Sequence, residues 1–175
     1  MKARKLAALA LAGVLCMSAF TGCGIDASEK VATLGDQEIT LGIVNFMCKY
    51  QKAAYDDTYV AYYGKDVWDL DFYGTGTTLG DDLKNTIMSN LHDLYTLQNH
   101  MDDYDVTLTD EEVKEIKAAA SAFMADNTAE ALEEMGATQE YVEEMLTLYT
   151  IQWKMEEAII ADVDTEVSDE EANKH

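Results

Sequence analysis

Val31-Ala32-Thr33-Leu34-Gly35-Asp36-Gln37-Glu38-Ile39-Thr40 is the stretch on which the fold turns. Its flanks alternate around Gly35-Asp36, the pattern of a small β-hairpin, because successive strand side chains point to opposite faces. Thr40 stands where a helix cap belongs, and beyond it the apolar spacing changes from two residues to three and four. The expected architecture is mainly α: a small N-terminal β-hairpin followed by a helical domain.

A first helix is expected from Thr40 to about Tyr63, with Val44, Met47, Cys48, Gln51, Tyr55, Thr58, Tyr59 and Tyr62 at helical spacing. Glycines at 64, 74, 76 and 80 mark a long loop. Thr78 and Asp81 resemble a cap for a second helix ending near Tyr104, on which Leu83, Ile87, Leu91, Leu94 and Met101 share a face. Thr109-Asp110-Glu111-Glu112 is a capping box opening a third helix, with Val113, Ile116, Ala120 and Phe123 facing inward. Asn127 or Thr128 starts a shorter helix stopped by Gly136. Thr138 caps a long last helix with the stripe Val142, Leu146, Tyr149, Trp153 and Ile160, fraying around Asp162.

Upstream, Lys2, Arg4 and Lys5 precede an apolar run from Leu6 to Phe20, the grammar of a secretory signal and too short for a comfortable membrane span. Phe20-Thr21-Gly22-Cys23 follows, and it resembles the lipobox of bacterial lipoproteins, in which the thiol of the Cys receives a diacylglycerol before cleavage. The match departs at Phe20, where Leu is usual. The resemblance implies that Cys23 is lipidated and anchors the chain to the outer face of the bacterial cell membrane; the alternatives are an ordinary cleaved signal or an uncleaved anchor. The expected organisation is a leader over residues 1–22, a tether over 23–30, a helical domain over 31–166 and the start of a truncated segment over 167–175. With Cys16 lost in the leader and Cys23 acylated, Cys48 has no disulfide partner and reads as a buried, inert thiol.

Charge narrows the partners. The chain carries a formal net charge of −22, and losing Lys2, Arg4 and Lys5 with the leader takes the mature protein to −25. Nucleic acid is excluded as a partner, since binding it requires cationic neutralisation of phosphates. An anionic bilayer would also repel this surface, so membrane retention rests on acyl chains at Cys23. Such acidity keeps a secreted protein dispersed and favours cationic partners.

The order of lipobox, tether, the Val31–Thr40 hairpin, helices with Thr109-Asp110-Glu111-Glu112, and Val167-Ser168-Asp169-Glu170-Glu171 resembles the N-terminal domain of PrsA-type foldase lipoproteins and of the periplasmic chaperone SurA. In that family a similar hairpin leads into a helical chaperone domain, and a parvulin-type peptidyl-prolyl isomerase domain typically follows a segment like Val167–Glu171. No parvulin domain is present in these 175 residues. Ser168-Asp169-Glu170-Glu171 is a helix-opening box with four residues after it. Either the parent architecture continues past His175 or these residues are a frayed acidic tail.

No catalytic, cofactor or metal site is expected. His92 and His100 are eight apart on one helix, about 80° from each other, so they do not stack as metal ligands at i and i+4 would. Asp69-Leu70-Asp71-Phe72-Tyr73-Gly74 faintly resembles a calcium loop but has Tyr73 at its fifth position and Gly80 at its twelfth, where a bidentate Glu belongs. What remains is a surface suited to holding other proteins, because methionine adapts to varied apolar partners and tyrosine offers contact area with a polar tip. Tyr55, Tyr59, Tyr62, Met88 and Met145 are the candidate client-binding residues; packing the core is the alternative role for each. The expected function is a membrane-anchored extracytoplasmic chaperone binding unfolded or partly folded exported proteins. The alternatives are an adaptor lipoprotein with one envelope partner, or a fragment of a peptidyl-prolyl isomerase.

Overall fold

The alternation around Gly35 pairs two antiparallel strands, β1 (Lys30–Leu34) and β2 (Gln37–Thr40), with Thr33 opposite Glu38 and Leu34 opposite Gln37. The computed structural model describes residues 26–35 and 37–162. Gly35 turns the chain at φ +58°, a conformation that glycine adopts without steric penalty. Leu34 and Ile39 are buried on the face turned to the helices, and the Asn99 side-chain amide donates to the Leu34 carbonyl at 3.2 Å.

Among the described residues five α-helices follow: α1 (Leu41–Tyr63), α2 (Leu79–Asn99), α3 (Asp110–Asp126), α4 (Ala129–Met135) and α5 (Gln139–Asp162). The chain is therefore mainly helical with a small N-terminal hairpin. Four threonines start helices in the same way. The hydroxyls of Thr78, Thr109, Thr128 and Thr138 accept from the amides of Asp81, Glu112, Ala131 and Tyr141 at 3.1 to 3.2 Å, each satisfying a donor left free in the first turn. Thr128, rather than Asn127, thus caps α4, and Gly136 ends that helix in the left-handed region at φ +65°.

Thr40 occupies the cap position of α1, but its hydroxyl makes no capping bond. The preceding chain takes that role: the carbonyls of Glu29 and Ala27 accept from the amides of Leu41 at 2.7 Å and Gly42 at 2.9 Å. The folded part therefore begins before Val31, inside the tether expected over 23–30. Cys23, the leader over 1–22 and the segment 167–175 lie outside the described residues, as does the expected boundary at 166.

The second helix is shorter than expected. α2 stops at Asn99, and Met101–Tyr104 forms a separate 3-10 turn closed by Asp105 at φ +54°. The break at His100 lets Val106 fold back onto α5.

α5 packs against α1, α2, α3 and the 101–104 turn, and so runs through the middle of the molecule. Its buried residues are Val142, Met145, Leu148, Ile151 and Met155. The expected stripe is corrected here: Tyr149, Trp153 and Ile160 are exposed, Trp153 at 63%. Each three-residue step rotates the buried face back by about 60°. The N-terminal half meets the main core of Ile43, Phe46, Met47, Leu91 and Leu94. The C-terminal half meets a second cluster around Val106. No single stripe serves two neighbours placed on different sides. Val113, expected inward on α3, is likewise exposed, whereas Ile116 and Ala120 are buried as expected and Phe123 packs partly buried against the core.

Candidate binding surface

α1 is two helices in character. Gly42, Ile43, Val44, Phe46, Met47 and Cys48 are buried, whereas no residue from Lys49 to Tyr63 is. The second half carries the tyrosines. Because i and i+4 side chains share a helix face, Tyr55, Tyr59 and Tyr63 form a ladder with ring centroids 5.9 and 6.2 Å apart.

The loop after Gly64 folds back onto this ladder. A 3-10 turn, Val67–Asp69, buries Val67 and sets the Trp68 ring edge-on to Tyr59 at 5.6 Å. Phe72 lies edge-on to Tyr63 at 4.8 Å and to Tyr73 at 5.3 Å. Edge-to-face pairs of this kind contribute about 0.5–1.5 kcal/mol each beyond their buried area. The aromatic surface is thus ordered, yet Tyr62 remains 80% exposed and Tyr73 63% exposed.

A polar clamp fixes the turn to α1. Asp56 Oδ1 accepts from Lys52 Nζ and from Trp68 Nε1, both at 2.7 Å, and the ammonium stands 5.2 Å from the centre of the Trp68 ring. The Lys52 hydrogen bond is the main reason that the Asp56 carboxyl is held below its ordinary range. Asp71, in the stretch resembling a calcium loop, accepts instead from the backbone amides of Thr75 and Gly76, both at 2.9 Å. Its carboxylate organises the loop's own backbone.

Of the expected client-binding residues, the structure places Tyr55, Tyr59 and Tyr62 on this surface. Met88 is partly buried against the core. Met145 is only 5% exposed, locked in the core of α1, α2 and α5, and its expected place at a binding surface is corrected accordingly. Trp68, Phe72 and Tyr73 were missing from the expected set. Their signal was present as three aromatics in a glycine-punctuated loop immediately after the tyrosine ladder.

A second exposed feature lies on the opposite end of the helical order. Tyr104, Val106, Thr109, Trp153, Ala158 and Ala161 help line an open groove of about 530 Å³ between α5 and the 104–112 segment. Lys154 and Glu112 pair across it at 2.7 Å.

His92 and His100 each have a carboxylate beside them. His92 Nδ1 lies 3.1 Å from Asp93, and His100 Nδ1 lies 2.7 Å from Asp103. Burial pushes the Cys48 thiol up to about 11, so it is a packed side chain rather than a nucleophile. Among the described residues, no group of three His, Cys, Asp or Glu is placed to hold a metal ion, and no helix is long and apolar enough to cross a membrane. Compared with protein-family models, curated proteins and solved structures, the chain shows no match.

Proposed function

We propose that this chain is an extracytoplasmic chaperone module, tethered to the membrane through lipidated Cys23, that holds unfolded or partly folded exported proteins. The single observation that supports it most is the exposed aromatic surface of α1 and the following loop. Aromatic side chains ordered against one another yet left exposed on one face are the kind of surface on which partners dock. Tyrosine and tryptophan provide large contact area at low conformational cost, as transient recognition of varied sequences requires. The order of lipobox, hairpin and capped helices supports a relationship to the PrsA and SurA N-terminal domains. In this reading the chain makes and breaks no bond.

The test is light scattering of two unrelated proteins as they unfold, with the full chain supplied in nanodiscs of zwitterionic lipid. Suppression of both at near-stoichiometric ratio is expected, weakened by Tyr62→Ala combined with Tyr73→Ala. Absence of suppression by a chain whose circular dichroism is helical would sink the proposal.

A second reading is favoured by the groove beside Trp153. An exposed Trp at the edge of a concave surface is the kind of anchor that dominates a specific interface. This reading is an adaptor lipoprotein with one envelope partner. Cross-linking from position 153 and, separately, from position 62 separates the two: one saturable partner captured at 153 for the adaptor, many clients captured at 62 for the chaperone.

A further inference from the structure

We infer that the aromatic surface selects client segments in which arginine or lysine is interspersed with apolar residues, an inference that rests on the chaperone reading and names its preferred substrate. The surface already shows how it takes a cation. Lys52 lies over the face of Trp68, and Asp56 accepts from both the ammonium and the indole N–H. A ring face offers its negative quadrupole, a neighbouring carboxylate completes the charge, and the aliphatic stem of the cation lies along apolar surface.

The rest of the patch carries the same kinds of side chain. Tyr55, Tyr62, Tyr63 and Tyr73 present exposed rings. Asp66 and Asp69 flank Trp68 on the same turn, both exposed, and neither enters an ion pair among the described residues. From Tyr55 to Tyr73 the chain carries five aspartates against one lysine, Lys65. The whole protein, at −22, repels a second copy of itself and any acidic segment. Charge complementarity therefore commits the surface to a cationic apolar segment. Arginine fits best, because its planar guanidinium stacks on a ring while donating to a carboxylate.

The experiment measures fluorescence anisotropy of labelled peptides of equal length against the full chain in zwitterionic nanodiscs, which remove lipid charge as a competitor. The peptides share one leucine and serine frame and carry arginine, glutamine or glutamate at the same positions. The arginine peptide is expected to bind about tenfold more tightly than the glutamine peptide, with the gap narrowing as salt rises from about 0.05 to about 0.5 M. Asp66→Asn combined with Asp69→Asn reduces the gap to within about twofold. Tyr62→Ala combined with Tyr73→Ala, at exposed positions the fold does not need, weakens both peptides. Equal binding of arginine and glutamine peptides by the natural chain would overturn the inference while leaving the chaperone reading intact. Failure of the chaperone reading itself has a different signature, absence of any peptide binding together with no suppression of light scattering.

Discussion

The ammonium of Lys154 in α5 donates to both carboxylate oxygens of Glu112, the third residue of α3, at 2.7 Å each. Glu112 at the same time accepts from the Thr109 amide at 2.7 Å, so one carboxylate closes a capping box and ties two helices together. These interactions, the Lys154 hydrogen bond first, hold the Glu112 carboxyl down to about 2 from an ordinary 4.5. A carboxyl with a depressed folded value adds stability above the unfolded value and loses it as pH falls toward the folded one. Lys154→Met should therefore lower Tm at pH 7, and its Tm difference from the natural chain should shrink as pH falls from 4.5 toward 2. Thermal unfolding of both proteins across that window checks it; a pH-independent difference would mean that Lys154 acts through its packing alone.

Gly42 sits in the first turn of α1, where glycine is otherwise a poor helix former. It is needed for a close approach. A Cβ there would collide with the hydroxyl end of the Tyr141 ring and come within 3.0 Å of the Ala27 carbonyl oxygen. Tyr141 also packs beside the Phe46 ring, at 6.4 Å between centroids, a contact that swinging it away would forfeit. Gly42→Ala is expected to destabilise the fold by about 2 kcal/mol despite the better helix propensity of alanine. Adding Tyr141→Leu should recover part of the loss, and urea denaturation of the two single variants and the double variant measures that coupling.

The rotation of the buried face along α5 makes opposite demands on neighbouring positions. Met155 is fully buried between Val106 and Ile151, whereas Trp153 stands out beside the groove. Met155→Ala should cost about 3 kcal/mol through lost burial and a residual cavity. Trp153→Ala should fall within about 1 kcal/mol although it removes the larger side chain. Equal losses in urea denaturation would restore the straight stripe through Tyr149 and Trp153 that periodicity alone suggests.

Local chemistry explains what could be read from the sequence in advance. Threonine three residues before an amide it can satisfy marks a helix start whatever the tertiary context, and Thr78, Thr109, Thr128 and Thr138 each obey this. Gly136 is as local, because a left-handed residue after a helix favours glycine. Thr40 failed as a side-chain cap because residues distant from any helix pattern, Ala27 and Glu29, supplied the acceptors. The face of α5 is a tertiary property, set by which neighbour each half meets. The candidate surface was half legible for the same reason: the i, i+4 tyrosines of α1 are visible as spacing, but the return of Trp68 and Phe72 onto them depends on a glycine-rich loop. Met145 went the other way, its suitability for adaptable contact being used inside the core.

Tyr95 in α2 donates its hydroxyl to Glu144 in α5 within the partly buried seam between the two helices. Burial raises both groups; the hydrogen bond from Tyr95 lowers the Glu144 carboxyl, and nearby Glu140 raises it further, leaving it above its ordinary value. A carboxyl with a raised folded value binds its proton more tightly in the native state, so native stability falls as pH climbs from the ordinary 4.5 through the folded value. Glu144→Gln keeps an acceptor for Tyr95 and removes the charge. The variant should have a higher Tm than the natural chain at pH 7, with the advantage disappearing below pH 4.5, where the natural carboxyl is neutral in both states. Differential scanning calorimetry at the two pH values decides it. A lower Tm for the variant at pH 7 would mean that the charged hydrogen bond outweighs the burial of the carboxylate.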